Sequence, residues 1–307
     1  MQLDKTALVI EQRSADELFD LSLVLLRSYW YRIVTIAIVG ALPFFLLNWF
    51  LLQPEADFDR LVMSSRSYGT REGFIIRHLW LMAVMVYLQA PLAMAGLTYF
   101  LGQAVFIEEP TLRQIWKSVS SRWIALAWIL GILRGGLVSL LYMAWVYWDV
   151  GFNTPLEISV VATVYALLIY LVRGFRPFAG EILLLERCPI RSSAKPGGNE
   201  LIYKRRSQWL HSGSGDLFSV QIGLTLIAIC FVTVFTLGGL FIVGVLVGLW
   251  TWGWWANTII VPVVLWMMAT WGTVIRFLLY LNTRIRSEGW EVELKLKAES
   301  LRLLEAL

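Results

Sequence analysis

Charge is what this sequence has least of. Only 16% of its 307 residues are Asp, Glu, Lys or Arg, against roughly 25% in a soluble domain. With 58% hydrophobic residues and a mean hydropathy of +0.66, this balance excludes an ordinary soluble domain and points to an integral membrane protein. Histidine and cysteine are scarce too, with two of each. His78 and His211 fall at predicted membrane edges on opposite sides, so they cannot share a metal or act on one substrate; surface or interfacial roles are expected. Cys230 lies inside an apolar stretch and Cys188 in a loop, a placement that offers neither a disulfide nor a metal site. No HExxH, GxSxG, Walker loop or CxxC occurs, and no pair of carboxylates falls within an apolar stretch, so the usual proton-relay signature is missing. The reading is therefore a non-enzyme with no catalytic residue, metal or cofactor to assign. The opening "MQLDKTALVIEQRSADELFD" has no apolar h-region of a cleavable signal, so the first apolar stretch is expected to direct insertion.

What is present in quantity is long apolar sequence. A spanning helix needs about 20 mostly apolar residues, and six stretches qualify, near 31–52, 79–105, 123–147, 157–176, 217–249 and 257–281. The fold class expected is all-α: a polytopic bundle of six transmembrane helices, 1–307 forming a single membrane domain. Lys and Arg set the direction. They crowd the segments holding Arg113, Lys117 and Arg122; Arg173, Arg176, Arg187, Arg191, Lys195, Lys204, Arg205 and Arg206; and Arg284, Arg286, Lys295, Lys297 and Arg302. The stretches "WDVGFNTPLE" and "WTWGWWAN" hold none. Both termini are then cytoplasmic, and the placement is a cell inner membrane, multi-pass. The loop with Arg60, Arg66, Arg71 and Arg77 does not fit and is outvoted. The net charge of +4 reads as this positive-inside bias rather than as a nucleic-acid surface. Trp145, Trp148, Trp250, Trp252, Trp254 and Trp255 fall at outer span ends, as an interfacial belt would.

Each odd-numbered span follows a polar-to-amphipathic segment that ends in basic and aromatic residues: "SADELFDLSLVLLRSYWYR", "EEPTLRQIWKSVSSRW" and "NELIYKRRSQWLHSGSGDLF". This pattern allows three helix–span–span repeats, with cytoplasmic interfacial helices, the first within 1–30. Ser14 with Glu17 makes a capping box. Thr111 begins a second helix with the stripe Leu112, Ile115, Trp116, Val119.

Arg134, in "WILGILRGGLVSLLY", falls near the middle of span three. A charge there is costly and marks either a structural staple or a functional site. Gly135 and Gly136 allow a kink or a close helix approach, and Glu181 in "FAGEILLLE" is the nearest candidate partner if that stretch returns toward the membrane. Arg173, Arg176 and Arg276 lie at cytoplasmic span ends, where snorkelling competes with a shared anion or lipid-phosphate site. Gly244 and Gly248 form a GxxxG that would let helices pack within the bundle or between copies of a homo-oligomer. Pro43, Pro91 and Pro262 come without Asn or Ser clusters, which favours packing over a ligand site. Residues 282–307 read as a cytoplasmic C-terminal helix that locks onto the other cytoplasmic segments, with Gly289 as its bend and Trp290 as an anchor.

Three stretches carry a likeness: "ELFDLSLVLLRSYWYRIV", "RPFAGEILLLER" and "YLNTRIRSEGWEVEL". The last supplies Tyr280, Asn282, Arg284, Arg286, Glu288, Gly289, Trp290, Glu293 and Leu294, with Asn282 where an acidic residue is more usual. Together they resemble the bacterial six-helix membrane domain found fused to some glycerophosphoryl diester phosphodiesterases and found alone in other proteins. The resemblance implies a membrane platform without the hydrolase activity. The function expected is a scaffold or accessory subunit that contacts membrane lipids and other membrane or cytoplasmic proteins. The alternative is a transporter or lipid-handling protein that binds an anionic headgroup through Arg134, Arg173, Arg176 and Arg276.

Overall fold

The structure is a computed structural model describing residues 13–56, 71–105, 110–149, 156–175, 178–186, 214–248, 250 and 252–288. Every regular element among them is helical. In chain order these are α1 (Ala15–Ser28), α2 (Trp30–Ala56), α3 (Arg71–Ala93), α4 (Ala95–Ala104), α5 (Leu112–Ser120), α6 (Trp123–Leu126) with a π-helical turn (Ala127–Ile132), α7 (Gly136–Asp149), α8 (Leu156–Phe175), α9 (Ala179–Leu185), α10 (Ser214–Val247), and a second π-helical turn (Ala256–Ile260) leading into α11 (Val261–Glu288).

Four stretches are long and apolar enough to cross a membrane: Trp30–Leu52, Ile75–Ala93, Ser219–Val247 and Ala256–Arg286. A fifth forms if Trp123–Ile132 and Gly136–Tyr142 are one span, and these meet at a bend of 64°. The apolar part of α8, Val160–Arg173, is shorter. Two expected spans are thus discontinuous. The 79–105 stretch breaks at Met94, because Pro91 cannot donate to Tyr87 O and its ring crowds that carbonyl. The 123–147 stretch breaks at Arg134, where Gly135 takes φ +81°, a conformation open to glycine at little cost.

α3 is the hub, packed against α2, α7, α8 and α11. Gly40 makes one of these approaches possible, since a Cβ there would collide with Ala93 O. Leu97, Phe100, Phe277 and Ile33 are completely buried around it. The expected capping box forms, Ser14 N donating to Glu17 Oε2 at 3.2 Å, and the helix start expected at Thr111 has one too, Thr111 N donating to Gln114 Oε1 at 2.8 Å. The helices they start are packed into the bundle. Leu18, Ser22 and Leu25 of α1 are buried on one stripe facing α11, where Trp271 Nε1 donates to Ser22 Oγ at 2.9 Å. Ile115 of α5 is buried near Ile36 and Gly96. The third interfacial segment lies largely outside the described residues.

Gly244 and Gly248 have local roles. Gly248 ends α10 with φ +76°, its amide donating to Gly244 O at 3.0 Å. The space above Gly244 holds the indole of Trp250, 2.7 Å from where a Cβ would stand. Within this chain the pair serves a helix terminus with an indole folded back on it.

Candidate functional site

The candidate site is a buried polar network at one end of the bundle, built around the ends of α8 and α11. Its first part is Arg173, in the last turn of α8. Arg173 Nη1 donates to Tyr87 O at 2.6 Å, and Nη2 donates to Leu88 O at 3.0 Å and to Arg134 O at 3.2 Å. Its Cζ stands 4.1 Å from the centroid of the Tyr87 ring, within cation–π range. Tyr87 O is the carbonyl left without its helical donor by Pro91, so the guanidinium supplies what proline removed.

The second part is a ladder between α9 and α11. Arg276, Tyr280 and Arg284 recur at i, i+4 and i+8, which puts them on one face of α11. Across from them, Glu181 is wholly buried and its Oε1 accepts from Arg276 Nε at 2.6 Å. Tyr280 Oη donates to Glu186 Oε1 at 3.0 Å, and Arg284 Nε lies 4.0 Å from the same oxygen. Arg122 Nη1 holds α9 from the other side by donating to Leu183 O at 2.9 Å. The expected return of "FAGEILLLE" toward the bundle is therefore present, with Arg276 as the direct ion-pair partner of Glu181. Arg134, 3% exposed, sits at the helix break and interacts electrostatically with Arg276, Arg173 and Glu181.

Three of the four expected anion-site arginines, Arg134, Arg173 and Arg276, thus share one neighbourhood. Arg176 lies outside the described residues, as do Gly289, Trp290, His211 and the tail beyond 288; Glu288 closes α11. Arg284 and Arg286 face different partners. Arg284 joins the ladder, whereas Arg286 Nη2 donates to Arg13 O at 3.3 Å. Asn282 makes a two-way contact with the same residue: Arg13 N donates to its Oδ1 and its Nδ2 donates to Arg13 O, both at 3.1 Å. An amide can do both, whereas a carboxylate could only accept. This gives Asn282 a physical reason to stand where an acid was expected.

Two expectations are corrected. The spans do hold a paired amide beside a proline: Asn48 of α2 and Gln89 of α3 exchange two hydrogen bonds of 2.8 Å and are buried. His78 is 1% exposed, inside α3, rather than at a surface. The signal for the first was a polar residue inside each apolar stretch. For the ladder it was the i, i+4 recurrence of Arg276, Tyr280 and Arg284 opposite two glutamates.

The fold and site together define a polytopic all-helical chain of membrane character, in which Arg173 is engaged with backbone carbonyls and Arg276 with a buried carboxylate. No protein-family model matches the chain, and neither a curated protein nor a solved structure does.

Proposed function

We propose that this chain is a non-enzymatic, multi-pass inner-membrane protein that acts as a scaffold or accessory subunit of a membrane complex, a platform of the kind its sequence resembles. In this reading the bent pair and α8 are the third and fourth of six spans, and both termini are cytoplasmic. The observation that carries it is the internal use of the arginines. Arg173 binds three carbonyls of its own chain, Arg276 binds Glu181, and Arg122 binds Leu183 O. Groups so engaged rigidify a framework instead of presenting charge to a substrate. The test is affinity purification of the tagged chain from native membranes after gentle extraction. A stoichiometric co-purifying protein is expected; a chain that always elutes alone and retains full function in reconstituted form would sink the scaffold reading.

A second reading, an anionic headgroup held near Arg134, Arg173, Arg176 and Arg276, draws on two details. Arg173 Nε has no hydrogen-bond partner among the described residues, and the Arg276 side chain is 22% exposed. Native mass spectrometry with retained lipid separates the two readings. Arg134→Leu should strip anionic lipid if this second reading holds, and should leave retention unchanged under the first.

A further inference from the structure

A helix that bends at Arg134 crosses α3 just before the proline of α3, and a side chain from a third helix occupies the crossing. The bend is the 64° one before Gly136, and the proline is Pro91, ahead of the junction of α3 and α4. The two helices touch there. A Cβ on Gly136 would lie 3.2 Å from Leu88 O, and one on Gly135 would lie 3.2 Å from Leu88 Cδ2 and 2.7 Å from Tyr165 Oη. Into this crossing α8 sends Arg173, which takes carbonyls from both helices: Tyr87 O and Leu88 O from one, Arg134 O from the other. The Tyr87 ring packs against the guanidinium. Carbonyl oxygens accept and never donate, and the aromatic face is electronegative. The crossing is therefore complementary to a planar cation carrying several divergent N–H groups. An ammonium is a compact point charge without the planar fork that lies flat against a ring while two of its nitrogens reach separate acceptors.

We propose that the crossing is a guanidinium-recognition niche, occupied in cis by Arg173, and that this occupancy pins the turn of α3 before its proline to the bend preceding α7. The niche is made of main chain and one ring, so it persists when the Arg173 side chain is removed, and a free guanidinium compound should then enter it. This inference does not depend on the scaffold reading: that reading fails on partner capture, this one on ligand selectivity.

The experiment is thermal unfolding of the full chain in detergent, with methylguanidinium as the probe and equal concentrations of methylammonium and sodium chloride as controls. Arg173→Ala should melt about 5 °C or more below the parent. Millimolar methylguanidinium should restore at least half of that loss, methylammonium should restore little, and the parent should respond to neither. Adding Tyr87→Leu to Arg173→Ala should weaken the rescue. Equal effects of methylguanidinium and methylammonium on folded Arg173→Ala would overturn the proposal, and so would Arg173→Met melting with the parent. Where Arg173→Ala does not survive extraction, methylguanidinium present during extraction should raise the recovery of monodisperse Arg173→Met, and equal recovery with methylammonium overturns the proposal in that format.

Discussion

α10 and α11 follow one another in the chain, and both are long and apolar enough to span a membrane, yet they are used in opposite ways. Half of the most apolar window of α11 is buried within the chain, against 6% of that of α10. α11 contacts α1, α2, α3, α4 and α10, and it carries Trp271, Arg276, Tyr280, Asn282 and Arg286, each bonded to another segment, with Arg284 4.0 Å from Glu186. α10 touches α8 and α11 and exposes Leu226, Val234, Leu237, Phe241 and Leu246. The difference teaches that in this bundle apolar content does not select the central helix. Lipid is as apolar as leucine, so burial of leucine alone gives little preference for protein over bilayer. The polar groups distinguish the sides, because each needs a partner.

The strongest way to break the comparison is to remove one member of the ion pair on α11. Arg276→Ala leaves Glu181, wholly buried, without its ion-pair partner and with the neighbouring Arg134 left to offset its charge, and breaking a buried pair costs up to roughly 3–5 kcal/mol. Reversible unfolding in detergent should show a loss of that size. The double variant Arg276→Met with Glu181→Leu should recover most of it, since the pair and an apolar replacement are near parity. Equal losses in the single and double variants would mean that the ladder is not what fixes α11.

The amide pair between α2 and α3 should be weaker. Asn48→Leu leaves the buried Gln89 amide unpaired, for about 1–3 kcal/mol. Asn48→Leu with Gln89→Leu should cost less than either single change. A double-mutant cycle in the same detergent gives the coupling, expected near 1 kcal/mol; a coupling of zero would put the pair on the lipid-like side of the comparison.

Local signals in the sequence carried the helical class and both helix starts. Ser14 with Glu17 and Thr111 with Gln114 act within one turn, so their chemistry is visible in a few consecutive letters. Arg134 followed by two glycines allowed a kink or a close helix approach, and the structure has a 64° bend there. Contacts between distant segments were less legible. Asn48 and Gln89 are separated by 41 positions, Ser22 and Trp271 by 249, and no periodicity announces such pairs when the apolar background is uniform. Pro91 reads in the sequence as a packing residue, and the arginine that answers its free carbonyl comes from another helix. Gly244 and Gly248 show the converse: a spacing with two physical uses, resolved here by φ at Gly248 and by the Trp250 indole.

A smaller effect tests the end of α11 alone. Asn282→Asp keeps an acceptor for Arg13 N but sets a carboxylate oxygen against Arg13 O in place of a donor. A cost of about 1 kcal/mol is expected, seen as faster amide hydrogen exchange over Ala15–Leu18, with the Arg276–Glu181 region unaffected. Asn282→Ala should behave similarly. If Asn282→Asp exchanged like the parent, the two-way contact would not be what positions the start of α1.

The smallest effect belongs to α10. Leu237 is 58% exposed, so Leu237→Ala removes a side chain with few protein contacts and leaves no closed cavity, the main source of cost in a core. In detergent its unfolding free energy should stay within about 0.5 kcal/mol of the parent, an order below Arg276→Ala. The same substitution in native membranes sharpens the contrast, because the only change is what surrounds α10. If lipid covers that face, Leu237→Ala melts with the parent in both settings, since the lost methyl contacts are replaced by acyl chains of the same polarity. If a protein packs there, the variant should be selectively destabilised in the native membrane, where a shaped partner leaves a void that lipid cannot fill. A shift in the native membrane alone would move α10 from the lipid-facing side of the comparison to the partner-facing one and would locate the contact at Leu237.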